Sequence, residues 1–409
     1  MELILLENAE GLNFKNSNTV VVDCKDIKPC IGCAGCWVKT PGTCVLPDRV
    51  QHYAENITKF DTITIISKLC FGGFSYPIKR VIDRCIGYLD TFMVKSGNDM
   101  RHGKRYDHSF HLNVIFYGNT SIGEKEDATE LVKACCKNYY VDSYNIEFVN
   151  SFATAYILLG GEKNDAMYMN HDDIIIPKHV DLKKKEKSIA VINASPRKKK
   201  AASEYYSNKL IEICNRLSNN EMKIDKYYWD STKPLSGYEI MKFTEYESIV
   251  FCLGVYIDTL PSHVIQNLQR IDEYLYQYLK NHTYGPLADN IRNTRIYVLS
   301  NNGLAHGNQS IHTIQCFKNF SLKNKFNWVN GMGIGGGPVF ANPKTDYLLN
   351  SDSKEVYDAF TKFCDSIVNY DQNERYSPIF TNCHIPIDDY INSINTLWKK
   401  ALTRNLIDK

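Results

Sequence analysis

Two successive rounds of short β-branched runs, separated by amphipathic stretches, constrain the fold of this chain more than any other feature. The stretches between the runs repeat apolar residues at helical spacing, as Ile78, Ile82 and Cys85 do within residues 77–92. This alternation is typical of α/β layers around a mostly parallel, doubly wound sheet. The runs that predict strands cover residues 19–23, 62–67, 112–117, 145–149, 189–192, 223–229, 248–253, 295–300 and 328–334.

The sequence also predicts how the chain is divided into domains. Its 409 residues are enough for two or three domains. The charged stretch 181–187 has the composition of a solvated linker, after which the pattern starts again. Residues 60–93 pair without gaps with 246–279, so that strand and helix-face positions coincide. We therefore predict a duplicated α/β domain, with one copy over 1–187 and the other over 188–409. The alternative is that periodicity alone aligns any two strand–loop–helix units.

Charge and cysteine content narrow the function classes. With 48 basic and 46 acidic residues the net charge is +2, which argues against a chain held to nucleic acid or membrane by bulk electrostatics. No apolar stretch approaches 18 residues. The apolar run at residues 1–7 is too short for a signal peptide, so we expect a cytoplasmic protein. Fourteen cysteines in that compartment favour metal or redox chemistry over disulfides.

A candidate anion site lies between a predicted strand and a predicted helix at residues 193–197, Asn-Ala-Ser-Pro-Arg. Free backbone N–H groups and the helix dipole favour an anion there. Ser195 and Ser203 can add hydroxyl donors and Arg197 a charged one. Such donors suit a phosphate monoester, as in flavin mononucleotide (FMN), and no Gly-rich triphosphate or dinucleotide motif is present. The alternative is a turn followed by an ordinary helix cap.

Two further loops follow predicted strands at the same sheet edge, where ligands of open α/β sheets bind. They are Gly-Val-Tyr-Ile-Asp at 254–258 and Asn-Asn-Gly at 301–303. Both offer backbone amides and small residues that a planar ring can approach. Together with the motif at 193–197 and the glycine run at 333–337, they resemble the flavodoxin-like NAD(P)H-dependent FMN reductases.

The resemblance implies two tandem flavodoxin-like domains, and it implies roles for single residues. Ser195, Arg197 and Ser203 would hold the FMN phosphate, with NAD(P)H as a possible electron donor. Residues from two loops would flank the flavin ring: Gly254, Val255, Tyr256, Ile257, Asn301, Asn302 and Gly303. His306, just after the third loop, is the best candidate for a catalytic acid, the alternative being a surface or helix-cap histidine. The sequence departs from the family at Gly254, where proline is usual, and at Ala201 and Ala202.

A compact cysteine motif stands near the start of the chain. Cys30, Cys33, Cys36 and Cys44 are spaced C-x2-C-x2-C-x7-C, which lets four thiolates converge on one centre. The residues alone leave open a [4Fe–4S] cluster, a zinc site or uncoordinated thiols. With 71–79 and 82–84, the motif is similar to the iron–sulfur flavoprotein branch of the same fold. That resemblance implies a [4Fe–4S] cluster.

The two halves are predicted to be complementary. The first half has too few residues between its first two strands for a phosphate loop and a full helix. The second half has the phosphate loop but no cysteine motif. We therefore expect one cluster in domain 1 and one FMN in domain 2, passing electrons to a small organic acceptor. An electron-transfer flavoprotein without its own substrate is the alternative, and a scaffold without cofactors is a third reading. Ferredoxin or another redox protein, and a homodimer, remain open as partners.

Overall fold

The chain divides into two compact units. A computed structural model describes residues 1–10, 12, 18–161, 184–281, 285–341 and 353–407. Unit 1 comprises Met1–Asp172 and Pro386–Lys409, and unit 2 comprises Asp173–Ile385. Residues 162–183, which contain the first three residues of the predicted linker, lie outside the described residues.

Unit 1 is built on a five-stranded parallel sheet of order β2-β1-β3-β6-β7. Strands β4 and β5 form a separate antiparallel hairpin. Each run predicted as a strand in this half lies within an observed strand. The strands of unit 1 are β1 (Glu2–Leu6), β2 (Thr19–Asp23), β3 (Thr62–Lys68), β4 (Leu89–Ser96), β5 (Asp99–Lys104), β6 (His111–Tyr117) and β7 (Ser143–Val149).

The helices of unit 1 differ from prediction at one place. The helix predicted over residues 77–92 ends at Arg84 and continues as a 3-10 turn, Cys85–Tyr88, before the chain enters β4. The prediction of a helix was therefore wrong for residues 89–92, which lie in β4. The helix predicted over 125–137 is confirmed, and a capping box between Ser121 and Glu124 starts it. The helices are α1 (Gly35–Val38), α2 (Tyr53–Asn56), α3 (Tyr76–Arg84), α4 (Ile122–Tyr139) and α5 (Phe152–Leu158).

Unit 2 is built on a six-stranded parallel sheet of order β13-β12-β11-β10-β8-β9. Its first strand, β8, is buried from Ser188 to Asn193, as expected for a parallel strand covered on both faces. The prediction of a solvated linker over 181–187 was wrong for its last three residues, because β8 already begins at Lys185. The strands are β8 (Lys185–Asn193), β9 (Lys223–Tyr228), β10 (Tyr246–Gly254), β11 (Arg295–Asn301), β12 (Asn327–Ile334) and β13 (Ile379–Thr381).

The helices of unit 2 lie between these strands in chain order. Ridges of apolar residues on them, such as Tyr206, Leu210 and Ile213, are buried. The helices are α6 (Ala202–Leu217), α7 (Gly237–Phe243), α8 (Ser262–Asn281), α9 (Pro286–Asn293), α10 (Ile311–Lys323), α11 (Gly337–Phe340) and α12 (Lys354–Val368). No helix among the described residues is long and apolar enough to cross a membrane.

Both units have the flavodoxin-like strand order. Counting the parallel strands of each sheet along the chain gives 2-1-3-4-5 in unit 1 and 2-1-3-4-5-6 in unit 2. This order reverses between the first and third strands, which is the topological switch point of doubly wound sheets. The fold is therefore α/β, with two tandem flavodoxin-like parallel-sheet units, as predicted.

The last helix, α13 (Ile387–Ile407), belongs to unit 1 although it follows unit 2 in the chain. Asn395 makes hydrogen bonds to both backbone groups of Met93 in β4, at 2.7 and 3.0 Å. The side-chain amide of Asn405 donates to the carbonyl of Val38 at 2.8 Å. The predicted second domain, 188–409, included this helix, and the structure differs from that division.

Candidate functional site

Three loops of unit 2 leave the same edge of its sheet. They follow β8, β10 and β11, whose carboxyl ends lie together because the strands are parallel neighbours. The order reverses between β8 and β10, where ligands of this fold class bind. Every residue predicted to contact FMN lies in or beside these loops: Ser195, Arg197, Ser203, Gly254, Val255, Tyr256, Ile257, Asn301, Asn302 and Gly303. Their roles as ligands remain predictions.

The side chain of Asn193 organises the first loop. Its Oδ1 accepts hydrogen bonds from the Ser195 N–H, at 3.1 Å, and from the Ser203 hydroxyl, at 2.9 Å. Its Nδ2 donates to Glu204 at 2.8 Å and to the Lys198 carbonyl at 3.4 Å. Asn193 is fully buried. Two of the three predicted phosphate ligands, Ser195 and Ser203, are thus held together by one amide.

A charged network supports this loop from the side of β9. Glu204 accepts hydrogen bonds from Tyr228, at 2.8 Å, and pairs with Lys226 at 2.9 Å. Burial alone would raise the pKa of Glu204, but the hydrogen bonds from Lys226, Asn193 and Tyr228 outweigh it and lower the pKa below its usual value. Glu204 is therefore ionised at neutral pH and fixes the orientation of the Asn193 amide.

The start of α6 supplies donors for an anion. Ala201 stands at the N-cap and makes no side-chain hydrogen bond to the first turn, since an alanine methyl cannot accept one. The 16-residue helix directs its positive dipole end to this position. Arg197 is exposed beside it, as are the next three lysines, one of which, Lys198, pairs with Asp230 at 2.9 Å. The loop is cationic and rich in N–H groups.

The second loop contains a tight turn. Tyr256 and Thr259 pair as an antiparallel bridge, and the two residues between them have positive φ angles, 42° at Ile257 and 63° at Asp258. Positive φ at both central positions is the conformation of a type I′ turn. The loop is tied to β11 because the Val255 N–H donates to the Asn301 carbonyl at 3.0 Å. The turn presents Tyr256 and Ile257, both partly exposed, at the sheet edge.

The third loop packs against the late glycine run. Asn302 donates from Nδ2 to the Ser310 hydroxyl at 3.2 Å, and its carbonyl accepts the Gly337 N–H at 2.8 Å. A Cβ atom at Gly337 would lie 2.9 Å from the Cβ of Asn301, so only glycine fits there. The Tyr206 hydroxyl donates to the Gly337 carbonyl at 2.7 Å and joins this run to α6.

Two histidines stand beside these loops. His306 is partly exposed, and its carbonyl accepts the Asn302 amide at 3.1 Å; the catalytic role of its ring remains a prediction. His263, in the first turn of α8, is buried, and its Nε2 lies 3.1 Å from the Ala194 carbonyl. A carbonyl only accepts, so this Nε2 carries the proton. The sequence analysis gave no role to Asn193, Glu204 or His263. The Asn193 partners are near in sequence, but only the structure shows its side chain turned towards them, whereas His263 and Ala194 are 69 residues apart.

The second candidate site is the cysteine loop of unit 1, which contains Cys30, Cys33, Cys36 and Cys44 and lies between β2 and α2. Cys44 is buried, Cys30 and Cys36 are partly buried and Cys33 is exposed. Two sulfur atoms accept backbone hydrogen bonds at 3.4 Å, Cys30 from Gly32 and Cys33 from Gly35. Such bonds to sulfur are among the features that tune iron–sulfur centres.

Two thiols of this loop lie in surroundings that disfavour the thiolate. Burial raises the pKa of Cys30, and it raises that of Cys36 to about 12, with further contributions from the neighbouring cysteines. Metal binding would therefore displace protons from them. Over the described ranges, no group of three or more His, Cys, Asp or Glu side chains is placed to hold one metal ion. A [4Fe–4S] cluster binds one thiolate at each of its four irons, so its ligands need not meet at a single ion. Four cysteines are the donors that such a cluster requires, and their ligand roles remain predictions.

The two units differ in the described residues that follow their first strands. Between β1 and β2, the described residues 7–10, 12 and 18 contain no helix. The loop after β3, in contrast, repeats the turn of unit 2, since Cys70 and Gly73 form the same antiparallel bridge. The two residues between them, Phe71 and Gly72, have φ angles of 55° and 84°. The described part of unit 1 thus has the cysteine loop and a counterpart of the second loop of unit 2.

Comparison with known proteins gives a limited match. No protein-family model matches the chain. An iron–sulfur flavoprotein from Methanocaldococcus jannaschii is 37% identical over 60 residues, which are 15% of this chain and 30% of that protein. The chain thus matches less than a third of the length of that relative.

Solved structures give a similarly weak likeness. The Trp repressor binding protein from Bacillus subtilis has a TM-score of 0.31 at 13% identity, over 46% of this chain and 99% of that one. An azoreductase from Bacillus anthracis str. Sterne has a TM-score of 0.30 at 12% identity, over 44% and 98%. TM-scores this low do not define a fold. The assignment of the fold of this chain therefore rests on its strand order.

Proposed function

We propose that this protein is a flavin-dependent oxidoreductase that binds FMN at the carboxyl edge of the unit 2 sheet. The observation that carries the proposal is the meeting of three loops at the switch point of that sheet, one of them an uncapped helix start with buried serines. Fixed N–H and hydroxyl donors suit a phosphate monoester. The partial match to an iron–sulfur flavoprotein supports the same class.

Different residues at this edge would contact the phosphate and the ring of FMN. Ser195 and the first-turn N–H groups of α6 would hold the phosphate, with Arg197 adding a charge. Ser203 would join them by turning its O–H group from Asn193 to the phosphate. The turn at Tyr256–Thr259 and the loop at Asn301–Gly303 would contact the ring. FMN, when bound, supplies a group that accepts and donates two electrons. The chain itself fixes these loops through Asn193, His263 and the glycine run, so that little ordering accompanies binding.

We further propose that the cysteine loop of unit 1 binds a [4Fe–4S] cluster, which exchanges single electrons with the FMN of unit 2. The spacing of the four cysteines, their free thiols and the N–H donors to two sulfurs support this centre. Electrons would come from NAD(P)H or a ferredoxin and would reduce a small organic acceptor. Each pair of electrons taken by the acceptor requires two from the donor.

The test is anaerobic purification of the full chain, reconstituted with FMN, iron and sulfide, followed by flavin and iron assays and an absorption spectrum. About one flavin and four irons per chain are expected. A flavin-free protein that gives no difference spectrum on FMN addition would refute the proposed function. Flavin without iron would refute the cluster alone.

Two variants separate the sites. Ser195→Ala is expected to weaken FMN binding at least tenfold and leave the iron content unchanged, whereas Ser377→Ala, at an exposed position of unit 2, serves as the control. Cys33→Ser is expected to lower the iron content and spare flavin, with Cys383→Ser in unit 2 as the control. Loss of iron from Ser195→Ala would contradict the assignment of the two cofactors to different units.

A further inference from the structure

Arg84, the last residue of α3, places a buried guanidinium beside the cysteine loop. Its side chain has no exposed surface. Burying a cation is costly unless its N–H groups are paired. The partners of Arg84 are therefore informative about what the residue does.

All three nitrogens of the guanidinium reach the two ends of the cysteine loop. One end precedes Cys30: Nη1 donates to the Lys28 carbonyl at 3.4 Å. The other end follows the motif: Nη2 donates to the Leu46 carbonyl at 2.8 Å, and Nε to the Cys44 sulfur at 3.3 Å. Nη1 also pairs with the carboxylate of Asp48.

Asp48 completes the closure. Its Oδ2, which pairs with Arg84, also accepts the Lys28 N–H at 3.2 Å, and its Oδ1 accepts the Val50 N–H at 3.1 Å. Lys28 is thereby bound from both sides, through its carbonyl by Arg84 and through its N–H by Asp48. One ion pair, between the buried Arg84 and the partly exposed Asp48, thus joins the chain before the first cysteine to the chain after the last.

We propose that Arg84 is a positioning residue for the cysteine loop: it closes the loop and directs a charged N–H donor at the Cys44 sulfur. This rests on the proposed function, in which the loop binds a [4Fe–4S] cluster. Hydrogen bonds and positive charge at a cluster sulfur stabilise the more negative, reduced state, so Arg84 raises the reduction potential. A forked guanidinium can serve these separate acceptors at once, whereas a lysine ammonium is a point donor on a flexible stem.

The same helix provides a matched control. Arg80 lies one turn earlier on α3, donates to the Lys25 carbonyl at 3.5 Å and stacks over the Tyr76 ring at 4.8 Å. Arg80→Met removes the same charge from the same helix as Arg84→Met. Arg84→Lys retains the charge and loses the fork.

The first measurement is hydrogen–deuterium exchange of the metal-free full chain. The amides of Lys28 and Val50 are expected to exchange at least tenfold faster in Arg84→Met than in the wild type, less so in Arg84→Lys, and at the wild-type rate in Arg80→Met. Wild-type exchange in β3 and β6, two inner strands of the unit 1 sheet, shows that unit 1 of the variants is folded. If Arg84→Met does not fold, Arg84→Lys decides, with a threefold acceleration expected. Equal exchange in the Arg84 and Arg80 variants would overturn the proposal.

The second measurement is redox titration of the reconstituted protein. Arg84→Met is expected to lower the equilibrium constant for cluster reduction about tenfold, or about 59 mV for one electron, with Arg84→Lys between it and the wild type. Potentials that do not differ between Arg84→Met and Arg80→Met would refute the role at Cys44. If the wild type binds no iron, the cluster proposal fails, and so does the role at a cluster sulfur, while exchange still decides whether Arg84 closes the loop.

Discussion

Replacing Asn193 with alanine should loosen the proposed phosphate loop of unit 2. The substitution removes three short hydrogen bonds, from the Ser195 N–H, from the Ser203 hydroxyl and to Glu204, which are 2.8 to 3.1 Å long. The two neutral bonds contribute about 1 kcal/mol each and the bond to the carboxylate about 2, which gives about 4 kcal/mol in total. The fourth contact, 3.4 Å to the Lys198 carbonyl, is too long to add much.

Local exchange is the appropriate assay, because a chain of two units need not unfold in one transition. Hydrogen exchange of peptides covering β8 and α6 reports the opening of this loop directly. At about 1.4 kcal/mol for each factor of ten, exchange in Asn193→Ala should be at least about a hundredfold faster. The flavin-free variant should also bind FMN at least tenfold more weakly, as Ser195 and Ser203 are no longer held together.

Two further variants make the test specific. Asn193→Asp keeps both acceptor bonds but places a second carboxylate opposite Glu204, so it should lose protection at pH 7 and recover part of it on acidification. Asn373→Ala, at an exposed position of unit 2, should match the wild type. Exchange and FMN affinity of Asn193→Ala within threefold of the wild type would refute this account of the loop.

Three other perturbations have defined outcomes. Burial lowers the pKa of His102 to about 4 from about 6.5, so on acidification the unfolded chain takes up the proton before the folded chain does. In acid unfolding, unit 1 should therefore lose up to about 3 kcal/mol of its free energy of unfolding between pH 6.5 and 4. An equal loss in His102→Gln would contradict this. Asn405→Ala removes the bond to Val38 and should cost about 1 kcal/mol, seen as faster exchange in α13; unchanged exchange would show that this bond does not anchor the helix. The Lys184 ammonium has three N–H donors and lies 2.8 to 3.3 Å from three carbonyls and a hydroxyl. Lys184→Met should therefore destabilise unit 2 by about 2 kcal/mol, seen as faster exchange, and no change would exclude that anchoring role.

The sheets were predictable because buried parallel strands are continuous β-branched runs. The hairpin of β4 and β5 was missed because apolar residues up to Leu89 keep helical spacing. From Leu89 to Met93, however, buried and partly buried residues alternate, which is the period of a strand. Gly97-Asn98, between Ser96 and Asp99 at the hairpin turn, is a turn signal that the sequence did offer.

The site was predictable to the level of loops but not of the side chains that hold them. Loops after parallel strands share one edge, so Ser195, Tyr256 and Asn301 could be grouped from strand positions alone. Apart from those of Asn193, contacts that fix these loops join residues distant in sequence, such as His263 to Ala194, 69 residues apart. Arg84 and Cys44, 40 residues apart, are of the same kind. Local patterns carry no information about such pairs.

The two units share a turn and a helix start at the same register. The gapless pairing of residues 60–93 with 246–279 aligns Cys70 with Tyr256 and Gly73 with Thr259, and both pairs close the same turn. The helix that follows starts at the same register, at Tyr76 in α3 and at Ser262 in α8. Alternating strands and helices would arise in unrelated α/β units, but a turn with two consecutive positive φ angles at one register is a more specific coincidence. The agreement supports the proposed duplication, and the units then differ at the two loops for which different cofactors are proposed.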